Sequence, residues 1–239
     1  MRAIYCVVFF FVANWVSAQT SREEVFNNIE KTAGVYFAYP EKEIKPQTPP
    51  PTGYAPFYIS HFGRHGSRYL ISDDEYKSMI DIFEDAKKDK TLTILGMDVL
   101  NRLKLLWGEV EWRGGDLSPL GIREQRGIAE RMYKDYPVVF DKGSKISACA
   151  TTAVRCVLSM DAFCERLKEF DPALTIERNS GVKWQRYLNY HTENAIAYRS
   201  AANTWKPRHR QFEKDHVRPY RLMKSLFVNQ NFVDKKTTQ

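Results

Sequence analysis

In Phe57-Tyr58-Ile59-Ser60-His61-Phe62-Gly63-Arg64-His65-Gly66-Ser67-Arg68-Tyr69 two textures meet. The first half is aromatic and β-branched and reads as a buried strand. The second half turns to glycine and cation, as in a loop leaving the carboxyl end of that strand, where open α/β sheets place their ligands. Gly63 and Gly66 remove side chains on either side of His65, so a ligand can come close to backbone and ring. Arg64 and Arg68 bracket the imidazole with two permanent, planar charges shaped for bidentate contact with phosphate oxygens. Neighbouring positive charge lowers a histidine pKa, so the ring is expected neutral. It is then free to attack a phosphorus whose charge the arginines offset. A basic surface loop with a solvated histidine is the plainer alternative.

The chain has 239 residues and a net charge of +7. It opens with Arg2, an apolar run from Ile4 to Val16, and Val16-Ser17-Ala18 before Gln19. A short basic end, an apolar core and small residues at the −3 and −1 positions read as a secretory signal peptide over residues 1–18, cleaved near Ala18. The run is too short to span a bilayer, which needs about 20 apolar residues. The expected product is exported, periplasmic or secreted, with no stable membrane insertion. Losing Arg2 leaves +6, a balance that suits an anionic substrate and gives no ground for nucleic-acid binding. Of the remaining cysteines, Cys149, Cys156 and Cys164, at least one is unpaired. Cys156 and Cys164 lie about 12 Å apart along one helix, too far to bridge each other. The sequence holds no metal-ligand cluster, Walker loop, Gly-x-Ser-x-Gly elbow or internal repeat.

Residues 19–36 read as a first helix, with Ser21 as N-cap and Glu24 closing a capping box. The stretch 42–52 is proline-rich and extended. Ser72 caps a helix from Asp73 to Lys88, whose first-turn acids suit the helix dipole. Leu92 to Trp107 carries a second helical period. Ser118 as N-cap and Pro119 at the first helical position start a helix running to about Tyr133. Lys145 to Cys149 reads as a strand, and Thr151 or Thr152 as the cap of a helix whose first turn presents Arg155. That geometry aims a guanidinium and free amides at one spot, an anion site. A local salt bridge does not explain Arg155, because Thr151, Thr152, Leu158 and Ser159 are its i±3 and i±4 neighbours. Beyond Asp171, 178–184 reads as irregular, Thr192 to Trp205 as helical and Tyr220 to Phe227 as amphipathic.

The Arg-His-Gly stretch resembles the signature of the histidine phosphatase superfamily, in its acid phosphatase and phytase branch. Arg64-His65-Gly66-Ser67-Arg68 is nearest to the multiple inositol polyphosphate phosphatases. Leu70 departs from the proline that members often carry there. Leu117-Ser118-Pro119-Leu120-Gly121 resembles the Leu-Thr-x-x-Gly segment of the superfamily. The strand, turn and helix through Arg155 resemble the segment that supplies a third phosphate-binding arginine, four residues before a serine, here Ser159.

The resemblance implies an α/β fold, a three-layer sheet with flanking helices. Residues 19–175 would be the N-terminal part of the core, and 176–239 the start of an α-helical cap. It implies a phosphoric monoester hydrolase acting on inositol polyphosphates (phytate-like) or other phosphate monoesters. His65 would be the nucleophile and form a phosphohistidine, with Arg64, Arg68 and Arg155 binding phosphate. The implied partner is a phosphorylated small molecule; no cofactor or metal is implied.

A proton for the leaving oxygen contributes about 10²–10⁴-fold, and the family takes it from an aspartate after a late histidine or from the glutamate of a His-Ala-Glu segment. Here His191-Thr192-Glu193 has the His-x-Glu spacing, with Thr192 equally readable as a helix cap, and Asp215-His216 has the residues in reverse order. Glu193 is therefore a candidate donor, and the proton donor is otherwise unassigned. Lys183, Arg186, Lys206, Arg208 and Arg210 either meet outer phosphates or form a solvated face. The resemblance covers the first half of a family member, so a truncated chain is expected. The alternative is a catalytically impaired, phosphatase-like fragment that only binds anions. A phosphoglycerate-mutase-like transferase fits less well, given the export signal and the long lead-in. Oligomeric state is not legible.

Overall fold

The computed structural model describes residues 21–39, 48–141, 143–189, 191–201, 204–229 and 231–232. The signal-peptide stretch lies outside these residues, as does most of the proline-rich lead-in. The chain divides into two compact units, Met1–Pro40 and Glu41–Gln239.

In the first unit, helix α1 (Ser21–Asn27) is followed by a 3-10 helix (Ile29–Tyr36). The expected single helix is interrupted at Asn28, whose backbone is extended and whose side chain accepts from Glu30 N–H. Gly34 breaks the second piece again at φ 56°. Ser21 lies inside α1 rather than capping it.

The second unit holds two apolar clusters. Helix α2 (Asp73–Lys88) starts at Ser72 with acids in its first turn and lysines in its last. Ser72 makes no side-chain cap bond. Helix α3 (Ile94–Val110) starts two residues after the expected Leu92, capped by Thr93, whose hydroxyl accepts from Gly96 N–H at 3.0 Å. Ile80, Phe83 and Ala86 of α2 and Leu100 of α3 form the first cluster with Leu226, Phe227 and Phe232. Helix α4 (Pro119–Asp135) carries the expected cap, with Ser118 Oγ accepting from Gly121 N–H.

Strand β1 (Lys145–Ala150), helix α5 (Val154–Phe170) and strand β2 (Thr175–Ser180) follow. β1 and β2 pair in parallel, from Lys145 opposite Thr175 to Ala150 opposite Ser180. Ala129 of α4, Phe140, Leu167 of α5 and Leu174 pack with Ile146 and Ile176 as the second cluster. β2 thus runs to Ser180, into the stretch read as irregular.

Helices α6 (Val182–Leu188), α7 (Glu193–Ser200), α8 (Lys206–His216) and α9 (Tyr220–Leu226) complete the order. The stretch read as one helix from Thr192 to Trp205 is α7 alone, and α8 begins at Lys206. The end of the chain returns to the first cluster: Thr93 N–H donates to Leu226 O and Val228 N–H to Thr91 O. No described helix is long and apolar enough to cross a membrane.

One expectation needs correction. Phe57 to His61 forms no strand, and Phe57 is 92% exposed. Strand propensity needs a laddered neighbour on a half-buried surface, and the described sheet has only β1 and β2. Of the expected α/β sheet with flanking helices, the described residues hold a two-stranded parallel sheet packed with α4 and α5.

Candidate phosphate-binding site

Ser67 is the anchor of the signature loop. Its carbonyl accepts from Ser118 N–H and Ser118 Oγ at 2.9 and 2.8 Å. Its own N–H and hydroxyl donate to the two carboxylate oxygens of Glu124 at 2.6 and 2.8 Å. Backbone meets backbone here: a Cβ on Gly66 would stand 2.3 Å from Gly121 O, and one on Gly121 would stand 2.2 Å from Ser67 O. Only glycine admits that approach at both positions. The Leu-Ser-Pro-Leu-Gly segment is therefore the seat on which the loop rests.

Two more side chains hold the loop. Gln125 Nε2 donates to Arg64 O at 3.0 Å. Ser159 Oγ accepts from Gly66 N–H at 3.1 Å and donates to Arg155 O at 2.7 Å, joining the loop to the helix that carries Arg155. Glu124, Gln125 and Ser159 are all buried. Sequence reasoning missed Glu124 and Gln125. Polar residues three and four places after Gly121 on α4 were the signal, since buried polar side chains are rarely without bonding work.

These contacts fix His65, which is half-buried. Its Nδ1 lies 2.7 Å from Gly66 O. A carbonyl only accepts, so Nδ1 carries the proton and Nε2 keeps its lone pair in the neutral ring. Burial is the main cause holding the His65 pKa below its ordinary 6.5. The bond to Gly66 opposes it, and the charges of Arg155, Arg64 and Arg68 lower it further, in that order. The expectation named the cations; desolvation is the larger influence.

All three arginines thus lie within electrostatic reach of one ring. Among the described residues none of the three is ion-paired with a carboxylate. Arg68 donates to Tyr69 O, and Arg155 Nε is buried without a hydrogen-bond partner. Arg155 does stand in the first turn of α5, whose cap is Ala153 without a side-chain bond, so neither Thr151 nor Thr152 has the expected role. Thr152 Oγ1 instead accepts from Gln185.

Arg64 and His65 are among the residues lining a cleft of about 570 Å³. Its other walls include Phe62, Ile146, Cys149, Phe163 and Leu167. Residues of the second apolar cluster line it, and of the three arginines Arg64 alone is among its lining residues. The three cysteines are free. Glu193 is exposed at the start of α7, where Thr192 caps the helix, and it does not line the cleft. Asp215 accepts from Gln211 within α8. Lys183 and Arg186 stand over Trp184 and Tyr187 of their own helix. No described group of His, Cys, Asp and Glu is placed to hold a metal ion.

No family model matches the chain, and neither does any curated protein. Solved structures do. A Bifidobacterium longum multiple inositol polyphosphate phosphatase, in complex with inositol hexasulfate, superposes with a TM-score of 0.65 at 19% identity. The match covers 84% of this chain and 48% of that one. The same enzyme in complex with phosphate gives 0.60 at 19% identity, over 84% and 49%. The chain spans about half the length of these structures, and it has a histidine-phosphatase-like fold.

Proposed function

We propose that this chain carries the nucleophile and phosphate clamp of an exported phosphomonoesterase. Its substrates would be inositol polyphosphates or other phosphate monoesters. One observation carries the reading: three guanidiniums, none of them ion-paired among the described residues, lie within electrostatic reach of an imidazole whose Nδ1–H is spent on a carbonyl. The free Nε2 attacks phosphorus, the bond to the ester oxygen breaks, and that oxygen leaves with the electron pair. Arg64, Arg68 and Arg155 offset the charge on the transferring group. Water then attacks the phosphohistidine and releases phosphate. The folds bound to phosphate and to inositol hexasulfate support a phosphorylated ligand of this class. The apolar run before Gln19 supports export.

A second reading, anion binding without turnover, is favoured by one feature. No described carboxylic acid stands beside the cleft to protonate an alkoxide, Glu193 included. An aryl ester separates the two. 4-Nitrophenolate leaves without a proton, so incubation with 4-nitrophenyl phosphate should give a phospho-adduct by intact mass, absent in His65→Ala. Turnover of inositol hexakisphosphate should be slow. An adduct that survives His65→Ala sinks the assignment; no adduct at all leaves the binding reading.

A further inference from the structure

We propose that Glu124 is a positioning residue of this site, aiming His65 and Arg68 through Ser67; the inference rests on the reading above and deepens it. Glu124 is only 6% exposed. A carboxylate hidden to that degree must be hydrogen-bonded to be tolerated. It accepts both donors of Ser67, the residue between His65-Gly66 and Arg68. Ser118 takes the remaining polar group of Ser67, its carbonyl. Every polar atom of Ser67 is thus tied to α4 or its cap, Ser118. The two donors explain the choice of side chain, since an ionised carboxylate accepts on both oxygens and charge shortens such bonds. An amide still fits. Gln would accept from Ser67 N–H and donate to Ser67 Oγ, with the hydroxyl turned around. Alanine would leave both donors with no acceptor at that position.

The test uses the full chain, with two measurements on each variant: the rate of phospho-adduct formation from 4-nitrophenyl phosphate, and amide hydrogen exchange in the peptide spanning 64–68. Glu124→Ala should slow phosphorylation at saturating ester by about 10²-fold, the scale of a 1 Å misplacement. It should speed exchange in that peptide by at least about tenfold. Glu124→Gln should recover most of both. Glu124→Ala combined with Ser67→Ala should be no worse than Glu124→Ala alone, because both act through one contact. Wild-type rate and exchange in Glu124→Ala, or losses that simply add in the double variant, overturn the proposal. If the wild-type protein takes no phosphoryl group, the functional reading fails and the exchange measurement still decides the role of Glu124. Should Glu124→Ala not fold, Ser67→Ala, which keeps the carboxylate, must itself loosen the 64–68 peptide or the proposal falls.

Discussion

The chemistry of His65 turns on where its proton sits. Burial and three arginine charges hold its pKa below 6.5, against a single opposing bond to Gly66. In the proposed reaction the nucleophile is the neutral ring, so phosphorylation should persist as pH falls past 6.5 and fail only once pH drops below the lowered pKa of the ring. Arg155→Gln should move that acid limb upward, toward the ordinary value, because Arg155 is the largest of the three charge effects. Its rate should fall by about 10²–10³-fold, as when one preorganised donor is removed. A pH–rate series of adduct formation checks both; an unmoved limb means that Arg155 does not act on the ring. At Gly121 the issue is space. Its Cβ would sit 2.2 Å from Ser67 O, a backbone atom that cannot swing aside. Gly121→Ala should cost about 1–3 kcal/mol and lower Tm by several degrees in a scan at neutral pH.

Between elements, α4 and α5 are joined by charge as well as by apolar packing. Glu130 of α4 accepts from Lys134 at 2.5 Å and from Arg166 of α5 at 2.7 Å. Arg166 also reaches Glu169, which accepts from Arg126 of α4. The bond from Lys134, then that from Arg166, holds the Glu130 carboxyl at about 2. A depressed carboxylate stabilises above its unfolded value, and that contribution is lost as pH falls toward the folded one. Urea midpoints should therefore drop more steeply between pH 4.5 and pH 2 in the wild type than in Glu130→Gln. At pH 7 the two should differ by no more than about 1 kcal/mol, because the groups remain partly solvated. Equal slopes would show that the α4–α5 contact rests on its apolar residues. Elements of this kind were the legible ones. Ser118-Pro119 and the acids of Asp73 to Glu75 specify helix starts locally, within one turn. The strands were not. Arg178 to Ser180, in the stretch read as irregular, is polar, and only its register against β1 makes it strand. Phe57 to His61 has strand-like residues and no ladder. Pairing is set by distant neighbours, which a local pattern cannot carry. The site fell between these cases. A helix beginning just before Arg155 followed from strand-turn-helix logic, with Ala153 and not Thr151 or Thr152 as its cap, whereas the α4 residues under the loop were visible only once α4 was in place.

On the scale of the whole second unit, the two apolar clusters have different dependencies. The second is built around β1, α5 and β2 with α4, and it supports the loop of His65. The first draws on both ends of the unit: α2 and α3 are completed by Leu226, Phe227 and Phe232. Leu226, Phe227 and Phe232, in the stretch expected to begin a helical cap, thus pack with the first two helices of this unit. Phe227 is 3% exposed, packs its ring at 5.2 Å from Phe83, and follows α9 directly. Truncating a buried phenylalanine costs about 3–5 kcal/mol in transfer and cavity terms. Phe227→Ala should lower unfolding stability by that amount. Amide exchange should accelerate across 73–110, while 145–180 keeps its protection and adduct formation at His65 persists. The contrast follows from the clusters, since no residue of the second touches Phe227 among the described packing partners. Acceleration of equal size in both segments would mean that the clusters open as one cooperative body, and the proposed phosphate cradle would then depend on the turn through Phe227 as much as on its own helices.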